Sequence, residues 1–262
     1  MEVEMTNVLE SSRTLPQNSD IQEIRLCFTL QHWCLWQSME TPFGEFWPGG
    51  EVLPCNGGRA DVTFLPMMQS RRLSPLARAV SAVVWDSRQQ CGDMPSVFFS
   101  RHGESQYYFE MLQVLAGGED VSPSRFSLCV HNAIAGLASF HSASYLPYVA
   151  LAGGTEGMFA AFLEASGILL ETSKVLVVWY EQALPDAYRA YLATSETTFA
   201  LAMVLTRAGG LGHQLRLARR SDKGRANAED CTQSLVQAIL DGQRSAVCHL
   251  NQSIWRWRLD DA

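Results

Sequence analysis

Residues 122–178 constrain the fold of this chain more than any other stretch. A polar start, Ser122-Pro123-Ser124, leads into small residues around 132–140, then a short apolar strand, the pair Gly153-Gly154, a long apolar helix and the run KVLVVWY at 174–180. The order is strand, tight turn, helix, strand. An apolar run without alternation predicts a central strand covered on both faces, which places the stretch in an α/β protein. In such folds a sharp strand-to-helix turn is where a nucleophile is lifted into a pocket above the sheet.

Composition narrows the function classes. The chain has 262 residues, 47% of them hydrophobic, enough for a substantial core. We expect one domain over 21–262 preceded by a polar, flexible arm over 1–20. A formal charge of −7 without a Lys/Arg-rich tract excludes a nucleic-acid partner, which needs a basic surface to displace counterions. Seven cysteines carry no CxxC spacing, the pattern of a reduced, cytoplasmic protein without a disulfide framework or metal site. The first twenty residues lack a secretory pattern. The apolar window 158–170 is broken by Glu164 and Ser166 and is shorter than the roughly 20 residues of a bilayer span, so a buried core helix is expected and no integral membrane association.

Along the chain, the alternating aromatic segment 24–36 predicts a strand, with His32 a packed core histidine because no second ligand stands at a metal spacing. Residues 43–65, rich in Gly and Pro, predict a surface loop. Ser74-Pro75 starts a helix over 75–85, with serine as N-cap and proline at the first position. Residues 96–99 form a short strand, 107–116 an amphipathic helix and 198–205 a further strand. The cluster Gly209-Gly210-Leu211-Gly212 lacks a following GK[ST], so a phosphate loop is unsupported. Residues 219–227 are charged and flexible, 229–240 helical, and the Trp255/Trp257 alternation reads as a closing strand or docking element. His131 and Asn132 make no catalytic dyad, since neighbours on a helix point in different directions.

The strand at 96–99 runs into Arg101-His102-Gly103-Glu104. That tetrad resembles the histidine phosphatase signature, whose histidine takes the phosphoryl group and whose arginine holds it. The chain departs from it twice: the family's asparagine three residues after the serine is here Tyr108, and His213 and His249, in polar tails, supply no second phosphate-pocket histidine. A phosphoryl hydrolase acting through 101–104 is therefore the enzyme alternative.

A broader resemblance rests on Arg71-Arg72-Leu73-Ser74, Ser100 to Glu104, the SPSRFSLCVHNAIAG phrase at 122–136 and a glycine-bearing turn before FAAFLEA at 159–165. As a set these resemble the N-terminal half of a β-ketoacyl synthase, specifically the short synthase-like family of aryl polyene gene clusters. The resemblance implies a thiolase-like half-fold, a mostly parallel sheet flanked by helices, with the C-terminal half of a full synthase and its histidine pair missing. A condensing enzyme carries its cysteine three residues before the glycine matched here by Gly157, and that position is Gly154, which cannot be acylated.

The resemblance thus implies a non-catalytic, chain-length-factor-like subunit of a type II β-ketoacyl-acyl-carrier-protein synthase heterodimer, in aryl polyene, polyketide or fatty-acid-like biosynthesis. An orphan module that binds acyl carrier protein is the remaining alternative. By resemblance, Tyr107, Tyr108, Met111 and Phe126 are candidate pocket or gate residues, and His131, Asn132, Gly136 and Phe140 a candidate interface. Arg71 and Arg72 are candidate contacts to acyl carrier protein, and no cofactor or metal is expected. Glu156 reads as a helix-start glutamate favoured by the dipole, with assistance to decarboxylation as the other reading.

Overall fold

The computed structural model describes residues 23–41, 44–189, 191, 197–222, 231–250 and 252–261. The expected arm 1–20 lies outside them, as does part of the charged segment 219–227. In chain order the elements are β1 (Glu23–Gln37), β2 (Gly50–Val52), α1 (Met67–Ser70), α2 (Pro75–Cys91), β3 (Ser96–Ser100), α3 (Ser105–Ala116), α4 (Pro123–Phe126), α5 (Ala133–His141), β4 (Tyr148–Ala152), α6 (Gly157–Ile168), β5 (Lys174–Glu181), α7 (Asp186–Arg189), β6 (Phe199–Arg207), β7 (His213–Ser221), α8 (Cys231–Leu240), β8 (Ser245–His249) and β9 (Ser253–Asp260).

The strands form one sheet ordered β4-β3-β5-β6-β1-β7-β9-β8, with β2 paired to β1. Helices α6 and α8 cover one face and α2 and α5 the other. This is the α/β layering expected. The sheet is mixed, however, not mostly parallel. Parallel pairing holds β4, β3 and β5 together and joins β2 to β1, while the other neighbours are antiparallel. Parallel neighbours require a long crossover connection, usually a helix. Only the stretch from β3 to β5 alternates strands with helices in that way, and β8 and β9 are joined too closely for anything but a hairpin.

Strand β1 serves both cores because of one extra residue. Phe28 and Leu30 enter the α6/α8 core, as do Trp33 and Leu35, whereas Cys34 and Trp36 enter the α2/α5 core. Even and odd positions thus exchange faces between Leu30 and Trp33. The pairing register to β6 shifts there, from Leu30↔Leu205 to His32↔Val204, leaving exposed Gln31 as a β-bulge. In β5 and β6 the alternation is uninterrupted: Val175, Val177 and Trp179 face one core, Leu176, Val178 and Tyr180 the other.

The glycine cluster after β6 has a structural use. Strands β6 and β7 pair with opposite edges of β1, and the link between them passes over Thr29, whose Oγ1 accepts from Gly210 N (3.1 Å) and from Gln214 Nε2 (2.9 Å). A Cβ on Gly212, at φ 131°, would stand 2.7 Å from the Leu30 carbonyl oxygen. Only glycine allows that approach.

Other expectations are refined. Ser74 caps α2 by accepting from Ala77 N (2.8 Å), and the helix extends to Cys91. His32 is packed as expected, with its Nε2 hydrogen-bonded to Asp86 Oδ2 (2.9 Å). The reading of the cysteines as wholly unpaired is corrected: Cys231 and Cys248 form a disulfide between α8 and β8, with Cα atoms 5.7 Å apart. Their spacing of 17 residues has no short-motif signal, and only the packing of α8 against β8 brings them together. No helix among the described residues is long and apolar enough to cross a membrane.

Deleting Gln31 should preserve the phase of every core side chain, so the variant should still unfold cooperatively, with a modest loss of stability. Deleting Cys34 turns Leu35 and Trp36 to the wrong faces and should abolish cooperative unfolding. Chemical denaturation followed by tryptophan fluorescence distinguishes the two.

Candidate functional site

Strands β4, β3 and β5 end side by side, and the loops that leave their carboxyl ends meet there: the turn 153–156, the tetrad 101–104 and the segment after Glu181. Such a junction is the usual site of ligands in parallel sheets. The turn owes its shape to two glycines. A Cβ on Gly157 would lie 2.1 Å from Phe99 Cε2, and one on Gly153 would lie 2.7 Å from the Gly157 Cα. The start of α6 therefore rests directly on the aromatic ring of β3. At Gly154, by contrast, an added Cβ meets nothing within 4 Å, and the residue is exposed. The tip of the turn opens to solvent and carries no reactive group.

Glu156 is held by more than a helix dipole. Its Oε2 accepts from Arg219 Nε (2.8 Å) and Nη2 (2.7 Å), and its Oε1 accepts from Ser253 Oγ (2.7 Å). The carboxylate thus ties the start of α6 to β7 and β9. With both oxygens engaged, its observed role is structural.

The tetrad is likewise folded inward. Gly103 N donates to Ser100 Oγ (2.7 Å), Arg101 N to Glu181 Oε1, and Gln182 Nε2 to the Gly103 carbonyl (3.2 Å). Glu104 is buried, and its Oε1 accepts from Ser74 Oγ at the start of α2. Burial pushes the Glu104 carboxyl up to about 7, against a smaller opposing pull from the Ser74 hydrogen bond. Glu104 Oε2, Ser105 Oγ and Tyr180 Oη are buried without a hydrogen-bond partner among the described residues. Burial, and after it the Glu104 charge, push the Cys129 thiol up, away from thiolate.

The residues singled out from sequence fall into three places. Arg71 and Arg72 lie beside a cleft of about 540 Å³ that also takes in Tyr107, Arg125, Phe140 and His141. The candidate carrier contacts, one candidate gate and one candidate interface residue therefore share a single groove. Tyr107 and Met111 also border a much smaller gap between α3 and residues 121–125. Tyr108 and Phe126 are exposed, and no residue of α3 is buried. His131 faces inward: its Nε2 donates to the Leu151 carbonyl (2.8 Å), and its ring lies over Gly103. A histidine beside a glycine at positive φ fills the space a side chain would have taken. Asn132 is exposed at the start of α5, and Gly136 faces the Tyr148 hydroxyl. Among the described residues no group of three or more His, Cys, Asp or Glu could hold a metal ion.

Sequence reasoning missed the Glu156–Arg219–Ser253 network and the Ser74–Glu104 contact. Both join residues distant in the chain, and neither leaves a local spacing signal.

Comparison with known proteins agrees with this geometry. The family model for the beta-ketoacyl synthase, N-terminal domain, matches residues 33–258. The structure of a ketosynthase in complex with its chain length factor from Xenorhabdus doucetiae contains a chain that superimposes with a TM-score of 0.73 at 23% identity, over 89% of this chain and 99% of that one. The ishigamide ketosynthase/chain length factor gives 0.55 at 11% identity, over 77% and 85%. A beta-ketoacyl synthase from Burkholderia phymatum gives 0.50 at 14% identity, over 70% and 56%. At these identities the likeness is one of fold, a thiolase-like ketosynthase fold. No curated protein matches the chain.

Two predictions follow from the turn and the buried acid. Gly157→Ala must displace Phe99 and should cost about 1–3 kcal/mol or more, whereas Gly154→Ala should change stability by less than about 0.5 kcal/mol; denaturant midpoints read both. Folded Glu104 keeps its proton up to about pH 7, whereas the unfolded group releases it near pH 4.5, so the native state binds more protons between those values. Stability associated with Glu104 is then present at low pH and lost as pH rises through 7, a difference of roughly 3 kcal/mol. Glu104→Gln should flatten that part of the stability–pH curve.

Proposed function

Because the chain belongs to the β-ketoacyl synthase N-terminal domain family, we propose that it serves as a non-condensing, chain-length-factor-like subunit beside an active β-ketoacyl-acyl-carrier-protein synthase. The observation that supports this reading is Gly154: on the resemblance it stands at the nucleophile's position of a condensing enzyme, its surroundings are open, and it has no group to acylate. Glu156, fully engaged with Arg219 and Ser253, is not offered as a helper in decarboxylation. The working unit in this reading is 21–262.

A partner is suggested by the edge of the sheet. Strand β4 pairs on one side with β3 and, among the described residues, has no strand on its other side. An apolar edge strand left uncovered is a template for pairing with another chain. Within β4, next to it in the chain or on the helix packed against it stand exposed Tyr145 (98%), Leu146, Tyr148 and Phe140 (70%), too many large apolar groups to be the scattered exposure of an ordinary surface. In this proposal that surface meets the synthase, Tyr107, Tyr108 and Met111 border the partner's acyl pocket, and Arg71 and Arg72 contact the acidic carrier. The product class, an aryl polyene or related polyketide, belongs to the same reading. For the phosphoryl hydrolase, nothing in the arrangement of 101–104 speaks in its favour, because its backbone and Glu104 are committed to internal contacts.

Co-expression with a synthase that retains its cysteine and histidine pair tests the proposal. The two chains should elute together in gel filtration, and Tyr145→Glu with Phe140→Glu should reduce co-purification at least tenfold while leaving the circular dichroism of this chain unchanged. Elution as a separate monomer that leaves synthase activity unaltered would overturn it. Capture of acyl carrier protein without any synthase would favour the orphan module instead.

A further inference from the structure

A second cleft, of about 570 Å³, lies between the loop 56–65 and the α1–α2 region, lined by different residues from the groove at Arg71 and Arg72. Two guanidinium groups border it, those of Arg59 and Arg78. Arg78 is 8% exposed. Its Nη2 donates to the Ser70 carbonyl, and no carboxylate among the described residues pairs with it. A charge taken out of water without a partner of opposite sign is costly, and buried cations are normally paired. Burial weakens the hold of the guanidinium on its proton, and the Arg59 charge, of the same sign, adds to that.

The rest of the lining narrows what could relieve this. Asp61 borders the cleft, but its Oδ1 accepts from Thr63 N (2.9 Å) and it forms no ion pair with either arginine. Two positive charges against one negative leave room for a single negative charge. Val62, Leu65 and Met67 also line the cleft, an apolar surface too large in extent for a bare inorganic ion to cover. Guanidinium groups favour carboxylate and phosphate oxygens through their planar array of donors.

We propose that this cleft binds a small organic monoanion, a carboxylate or phosphodiester on a short apolar body, with its charged end between Arg59 and Arg78 and its body against Val62, Leu65 and Met67. The ligand supplies a counter-charge that no described residue gives Arg78. Binding here is separate from the proposed synthase contact, because none of the cleft's residues belongs to β4 or to the exposed apolar surface around it.

Calorimetric titration of the full chain with hexanoate, diethyl phosphate and hexanol tests this. Hexanoate or diethyl phosphate should bind saturably in the millimolar range or tighter, weakening with added salt, and whichever binds better identifies the head group. Arg59→Gln, at an exposed position, should weaken binding about tenfold, as expected for one charge-assisted contact. Arg78→Met should remove binding and leave the unliganded chain at least as stable as wild type, since it deletes a buried unpaired charge. Equal affinity for hexanol, an unchanged Kd in Arg59→Gln, or no saturable binding of either anion would overturn the proposal.

Discussion

The contact between Gly157 and the ring of Phe99 governs this molecule. With no side chain at 157, α6 begins directly on the end of β3, and the turn that feeds it is forced out beyond the carboxyl ends of the parallel strands. Everything chemical about the site follows from that placement. The tip falls at 154, in open space, while the flanking positions 153 and 157 have no room for a substituent. Glu156 then reaches Arg219 and Ser253, so the parallel part of the sheet is tied to its antiparallel part through one carboxylate.

The same economy of space appears where β6 gives way to β7. The glycines there let the chain step across β1 above Thr29, which converts one long strand into two that flank it. That crossing, together with the bulge at Gln31, turns a short parallel α/β unit into a wide mixed sheet with a core on each face.

Much of the fold was legible because it is local. Apolar periodicity marked β1, α6 and β5, and the Ser74-Pro75 pair marked the start of α2. The mixed character of the sheet was not, because pairing direction depends on the length of connections and on which strands become neighbours. The bulge at Gln31 looked like an ordinary polar residue in a strand, and the glycines at 209–212 could be judged only for what they did not encode. Cys231 and Cys248 met through the packing of α8 on β8, which no spacing announces.

For the site, the informative residue was one defined by what it lacks. Gly154 could be placed from its distance to Gly157 and from the resemblance, and the geometry adds that a side chain would have fitted there. His131 was harder: its motif setting suggested a structural hydrogen bond but not which one, and its ring fills the space over Gly103 and holds Leu151. The grouping of Arg71, Arg72, Tyr107 and Phe140 along one groove could not be read from positions spread over seventy residues of chain.

The proposed role rests on the want of a nucleophile at the tip of this turn. Intact-protein mass spectrometry after incubation with acyl-loaded carrier and a competent synthase tests it most directly. The account predicts an acyl increment on the synthase and an unchanged mass for this chain; a covalent acyl increment on this chain would contradict it.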